Sequence, residues 1–190
     1  MNQKTKTIVG IGLLTAIIIV LQLVASTVRL GIFNITLVLT PLIVGAALYG
    51  WYAGAWLGFV FGMVVLFTDT AVFMAISVPG TIITVLAKGI LAGVVAALVY
   101  LALQKKNRYL AIVVAAIATP ITNTGIFLVG CRLFFFDTIK GWASASGFEN
   151  VGAYLIFGLV GMNFIVEMII NLLLSTATLR IVNIGKKEIK

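Results

Sequence analysis

The stretch from Ile8 to Val28, IVGIGLLTAIIIVLQLVASTV, carries no charged side chain, and its reading decides the fold. A helix needs about 20 apolar residues to cross a hydrocarbon core roughly 30 Å thick, and runs of about 18 or more are read as spans. This run exceeds the roughly 7–15 residues of a signal-peptide core, and no small-residue cleavage motif precedes a mature soluble domain, so it reads as a retained span.

The same texture continues outward along the chain. Of 190 residues, 62% are hydrophobic and 9% are charged, and the mean hydropathy is +1.23. Six apolar stretches fit, at about 7–28, 35–50, 52–68, 78–104, 109–135 and 151–183. The expectation is an all-α integral membrane protein, a six-transmembrane-helix bundle in which residues 1–190 form a single transmembrane domain. Gly50-Trp51-Tyr52 marks a tight turn with interfacial aromatics, the segment from Gln104 to Arg108 a charged turn, and Asp137 to Asn150 a polar loop. The second and third spans are short and the last is long, so the helices are expected to tilt or protrude.

Thirteen Lys and Arg against five Asp and Glu give a net charge of +8. So basic a balance raises nucleic acid as a partner, but the cations sit at span ends, where they act as topological anchors. Lys4, Lys6, Lys105, Lys106, Arg108, Arg180, Lys186, Lys187 and Lys190 fall on one side, nine of the thirteen. The other side holds Arg29 and Lys140, and Lys88 and Arg132 lie within spans. Cytoplasmic loops are enriched in Lys and Arg, which puts both termini in the cytoplasm. The segments Arg29 to Asn34, Asp69 to Ser77 and Asp137 to Asn150 then face outside as loops.

Several chemistries are excluded. There is no histidine and one cysteine, Cys131, so an internal disulfide, the usual zinc ligand sets and Ser-His or Cys-His nucleophiles are ruled out. No GxxxxGK[ST] phosphate loop occurs. Neither a catalytic acid–base pair nor a metal cluster is evident, and no cofactor is expected. The chain reads as a binding protein with no engine of its own.

The polar residues left inside apolar runs carry the functional reading. A charge at the bilayer centre costs roughly 2.5–3.5 kcal/mol, so it is paired or faces a cavity. Lys88 lies about ten residues into the fourth span. Glu167 lies in the sixth, with Asn163 and Asn171 four residues to either side on the same helical face. A Lys88–Glu167 pair reads either as a salt bridge tying two helices or as part of a substrate cavity. Arg132, near the outer end of the fifth span, reads as a snorkelling side chain or as a planar fork for a carboxylate or phosphate. Pro120-Ile-Thr122-Asn123-Thr124-Gly125 joins a helix-breaking proline to three hydrogen-bonding side chains, a pattern that suits a cavity lining. Asn34, Thr36, Thr81 and Thr84 read as contacts or as local caps. Trp142, Tyr154 and Phe157 read as interfacial belt residues or stacking platforms.

Small residues recur every fourth position: Gly54, Gly58 and Gly62 on the third span, Gly89, Gly93 and Ala97 on the fourth, Gly12 and Ala16 on the first. Such faces let helices approach closely in lipid. The first two sets read as internal packing, and Gly12 with Ala16 as a contact for a partner.

The length, the spans and the basic start before Ile8-Val-Gly-Ile-Gly-Leu-Leu-Thr-Ala16 together resemble the S component of an energy-coupling factor (ECF) vitamin transporter. So do Phe33-Asn-Ile-Thr36-Leu-Val-Leu-Thr40-Pro-Leu-Ile-Val-Gly45-Ala-Ala-Leu-Tyr-Gly50, Ala53-Gly54-Ala-Trp-Leu-Gly58 and Lys88-Gly89-Ile-Leu-Ala-Gly93. The resemblance covers nearly the whole chain, with order and spacing carrying more weight than any one motif. In the family a small-xxx-small motif on the first span meets the transmembrane coupling subunit, and Gly12 and Ala16 match it, with glycine in place of the more usual first alanine.

The resemblance implies a vitamin site near the outer face, formed by the later spans and covered by the connection between spans one and two. Substrate contacts are then expected from Arg132, Asn123, Lys88, Asn163, Thr84, Asn34 and Tyr154. It further implies a bacterial plasma-membrane importer, completed by a coupling T component and two ATPases, with no ATPase activity in this chain. Two cations in the outer half suit a small anion, and the overall pattern is most similar to pantothenate-type members; riboflavin and pyridoxine stay open as cargoes. A standalone secondary transporter, which would often show inverted repeats, and a structural membrane subunit are the readings from other classes.

Overall fold

With no water to bond the backbone in lipid, each span must satisfy its own peptide groups, and helices do so. The computed structural model describes residues 2–27, 29–30, 33–34 and 37–189. α1 (Gln3–Thr27) is followed by two short antiparallel strands, β1 (Arg29–Leu30) and β2 (Phe33–Asn34), paired Arg29 to Asn34 and Leu30 to Phe33. Then come α2 (Leu39–Tyr49), α3 (Trp51–Thr68), α4 (Ala71–Ile76), α5 (Val78–Leu103), α6 (Arg108–Phe134) and α7 (Phe136–Ala145). The last long rod opens as α8 (Val151–Ala153), widens into π-helical turns over Tyr154–Val160, and runs on as α9 (Gly161–Ile189).

Among the described residues five helices are long and apolar enough to cross a membrane: α1, α3, α5, α6 and α9. Their outer faces are apolar, with Phe67 and Leu173 each more than 70% exposed. α2 differs. Its 11 residues rise about 16 Å, short of a bilayer core, and most of them, from Leu39 to Ala47, are buried against α3, α5 and α9. A helix that is apolar on all sides belongs inside a bundle.

Local chemistry fixes the boundaries. Ser77 Oγ accepts the Gly80 N–H at 3.2 Å to cap α5, with Pro79 in the first turn. Asn107 Oδ1 accepts the Leu110 N–H at 3.0 Å to cap α6, and Asn150 Oδ1 accepts from Gly152 at 2.7 Å to start α8. Between α2 and α3, Gly50 takes φ +85°, a left-handed conformation that lets the chain reverse within one residue. Pro120 sits inside α6 without ending it.

α3 and α5 meet along their glycine faces. A β-carbon on Gly54 would strike the Gly93 carbonyl, and one on Gly58 the Gly89 carbonyl; the reverse holds for Gly89 and Gly93. The backbones themselves are in contact, as close helix packing in lipid requires.

Both chain ends lie at one end of the bundle. Lys6 Nζ donates to the Glu188 carbonyl at 2.6 Å, and Lys186 Nζ donates to Gln104 Oε1 at 2.6 Å. One apolar cluster, including Ile18, Leu42, Phe61, Tyr100, Ile112 and Val182, fills the bundle toward that end. A second, of Cys131, Phe135, Ile139, Ala143, Tyr154, Leu159 and Val160, lies at the opposite end.

Two expected loops are helical. Residues 69–77 hold α4, and residues 137–150 hold most of α7. In the second case Phe135, Ile139 and Ala143 recur every four residues and are buried as a stripe against the second cluster. The Ser- and Gly-rich opposite face hides that stripe from a composition-based reading.

Candidate functional site

Among the described residues ten polar side chains are buried in this apolar bundle, and six of them line one cavity. Between the two clusters, in the half remote from the termini, lies a cavity of about 110 Å³. Every long helix contributes to its wall: Gln22 from α1, Phe61 and Val65 from α3, Thr81, Thr84 and Lys88 from α5, Asn123, Thr124 and Phe127 from α6, Asn163 and Glu167 from α9. Asp69, Thr70 and Phe73 close it from the α3–α4 junction. On α5 the spacing 81, 84, 88 keeps three side chains on one face, and on α6 the spacing 123, 127 does the same.

Lys88 is the cation of the cavity. Its ammonium sits 5.4 Å from the Phe127 ring centroid and 5.8 Å from that of Phe61, within reach of both ring faces. Glu167 and Asp69 are the acids whose charge acts on it. Asp69 Oδ2 accepts from Gln22 Nε2 at 2.7 Å and from Thr68 Oγ1 at 2.8 Å. Glu167 Oε1 accepts from Asn163 Nδ2 at 3.3 Å. Asn171 is bound elsewhere: its Nδ2 donates to the Glu167 carbonyl at 2.8 Å, and its Oδ1 accepts from Thr40 Oγ1 at 3.0 Å.

Two further polar atoms stand apart. Thr84 Oγ1 and Asn123 Oδ1 are buried without a hydrogen-bond partner among the described residues, on side chains only 3% and 6% exposed. A buried polar atom left unsatisfied costs roughly 1–3 kcal/mol. Both belong to the wall of the same cavity, so a guest there would meet a cation flanked by aromatic rings, a hydroxyl and an amide oxygen.

Toward the end remote from the termini a second hollow of about 430 Å³ adjoins the first, sharing Asp69 and Phe73 with it. Val72, Trp142, Ser146, Tyr154 and Leu159 complete its wall. Phe73 meets Phe127, Phe135 and Trp142 edge-on at centroid distances of 5.6, 5.1 and 5.9 Å. Its ring is the partition between the two spaces.

The model of the family described as ECF transporter, substrate-specific component, matches residues 6–178. This chain belongs to that family. Over 194 aligned residues, covering 93% of each protein, it is 29% identical to the pantothenic acid transporter PanT of Lactococcus lactis subsp. cremoris (strain MG1363). No solved structure matches the chain.

As an ECF substrate-specific component, the protein is a transporter subunit. Of the residues expected at its site, the structure brings Lys88, Thr84, Asn123 and Asn163 to one cavity. Arg132 is elsewhere: it is exposed, lies over the Phe136 ring at 3.8 Å, and borders an open recess with Glu149 and Asn150. Nine residues separate it from Asn123, a rotation that turns it roughly 180° away around α6. Tyr154 lines the outer hollow and packs edge-on against Phe148 at 5.4 Å. The Asn34 side chain and Thr36 lie outside the described residues. Gly12 and Ala16 are exposed on α1, and a β-carbon on Gly12 would meet nothing within 4 Å.

Sequence reasoning missed Gln22, Asp69 and the ring of Phe61, Phe73 and Phe127. The lone amide of Gln22 in the uncharged first run was the available signal. Asp69 was assigned to a loop, and the phenylalanines are indistinguishable by sequence from lipid-facing ones.

Proposed function

We propose that this chain captures a small anionic vitamin, pantothenate, and hands it to an ATP-driven importer. The observation that carries the reading is the pair of buried atoms without a partner among the described residues, Thr84 Oγ1 and Asn123 Oδ1, on the same cavity wall as Lys88. Pantothenate presents a carboxylate for the ammonium, with hydroxyl and amide groups for the hydroxyl and amide of the wall. The relative named as a pantothenic acid transporter supports the same cargo. The four phenylalanines at the wall, Phe61, Phe73, Phe127 and Phe135, favour an aromatic cargo as the second reading, pyridoxine before the larger riboflavin.

In this reading the chain crosses the plasma membrane of a bacterial cell six times, α2 acting as a short second span. The clustering of Lys6, Lys105, Lys106, Arg108, Lys186 and Lys187 at the end that holds the termini supports a cytoplasmic location for that end. Cargo then enters from the far end. Gly12 and Ala16, exposed on α1, meet the coupling T component, and two ATPases supply the energy that this chain lacks.

Titration calorimetry of the purified protein with pantothenate, pyridoxine and riboflavin tests the cargo. Saturable binding of pantothenate at one site per chain is expected. Tight binding of riboflavin or pyridoxine with no heat from pantothenate overturns the choice.

A further inference from the structure

The charge count of the cavity carries a consequence for an anionic guest. Among the described residues its ionisable side chains are Lys88, Asp69 and Glu167, one cation against two carboxylates. All three line the same cavity wall, so the two carboxylates outnumber the ammonium before any cargo arrives. An incoming carboxylate at Lys88 therefore adds one negative charge to a buried space holding one fixed cation. Uncompensated buried charge is heavily penalised, and a group in that position neutralises instead. With both carboxylates ionised at rest, a constant cavity charge requires one proton to enter with each anion.

We infer that the cavity binds its anionic cargo together with one proton, and that Glu167 is the residue that carries it. The inference rests on the anionic-cargo reading above. Geometry separates the two acids. Asp69 is half-buried, opens onto the outer hollow, and is held by the Gln22 and Thr68 donors. Glu167 is 2% exposed, on the inner side of α9. The groups facing this region from the other elements are few. α5 brings Lys88 and the α3–α4 junction brings Asp69, while the Cys131 thiol of α6 is buried in the second apolar cluster. α1 and α2 contribute the neutral Gln22 and Thr40, and the π-helical turns contribute Tyr154 on the outer hollow. The step is a simple protonation: a proton from solvent bonds to a Glu167 carboxylate oxygen as the cargo carboxylate settles at Lys88. No other bond forms or breaks.

Calorimetry with pantothenate in buffers of unequal ionisation enthalpy, from about pH 5.5 to about pH 8.5, reads the proton directly. The expected result is uptake of one proton per cargo molecule. Because the bound form holds the extra proton, affinity falls as pH rises, by up to about tenfold per pH unit. Glu167→Gln, which mimics the protonated acid, is expected to abolish the uptake, flatten the pH profile and bind more tightly than wild type at the alkaline end. Buffer-independent heat with a flat wild-type profile overturns the inference while leaving the cargo reading intact. Loss of uptake in Asp69→Asn but not in Glu167→Gln overturns the assignment to Glu167. Should Glu167→Gln fail to fold, retained uptake in Asp69→Asn keeps the proton on Glu167, and its loss there removes it. Absence of pantothenate binding at every pH, with pyridoxine bound, sinks the cargo reading, a result distinct from binding without a proton.

Discussion

Gln22 of α1 donates its side-chain amide to Asp69 Oδ2 at 2.7 Å, tying the first helix to the α3–α4 junction at the boundary between cavity and outer hollow. α1 has few other anchors in this half, its buried residues being Ile18, Gln22 and Ala25. A hydrogen bond to a charged group contributes about 1.5–3 kcal/mol. Gln22→Leu is expected to raise hydrogen exchange across residues 18–27 and to speed cargo release by about tenfold, the equivalent of about 1.4 kcal/mol. Exchange mass spectrometry and a competition off-rate measure the two effects. Unchanged exchange and off-rate would show the contact to be incidental.

The glycine face between α3 and α5 leaves no room for a side chain, because Gly58 and Gly89 contact each other through their backbones. Gly58→Ala forces the helices apart and is expected to cost about 1–3 kcal/mol, lowering Tm by about 2–10 °C in a chain of this size. Gly12→Ala is the control, since its β-carbon points into open space. Its Tm is expected to match wild type, and equal losses in the two variants would contradict the packing described.

Arg132 faces away from the cavity and lies over Phe136. Arg132→Ala is therefore expected to leave pantothenate affinity within about twofold of wild type, whereas Lys88→Met lowers it by tenfold or more, as loss of a buried charge partner would. Equal losses in the two would return Arg132 to the site.

How much of this was legible in the sequence follows from what periodicity encodes. The apolar runs announced the five helices that can cross a membrane and the short α2 as a sixth, and the glycine spacings marked packing faces without naming α3 and α5 as each other's partners. Thr84 with Lys88, and Asn163 with Glu167, were readable as pairs four residues apart, and each pair shares the cavity. Arg132 carried two readings, and its phase, half a turn from Asn123 on α6, puts it on the exposed face. α7 was hidden because its buried stripe of Phe135, Ile139 and Ala143 is narrow and its composition is that of a loop. The Gln22–Asp69 contact joins residues 47 positions apart, and only tertiary packing brings them together.

The account stands on polar atoms buried for a guest and not for the fold, and Asn123→Leu tests that most directly. Its Oδ1 has no partner among the described residues, so removing it relieves a buried unsatisfied group while depriving the proposed cargo of a hydrogen bond. Calorimetry with pantothenate and a thermal melt of the unliganded protein, run together on Asn123→Leu and wild type, give both answers. The predicted result is affinity lower by about tenfold with an unliganded Tm equal to or above wild type. Unchanged affinity, or a Tm that falls together with it, would contradict the account.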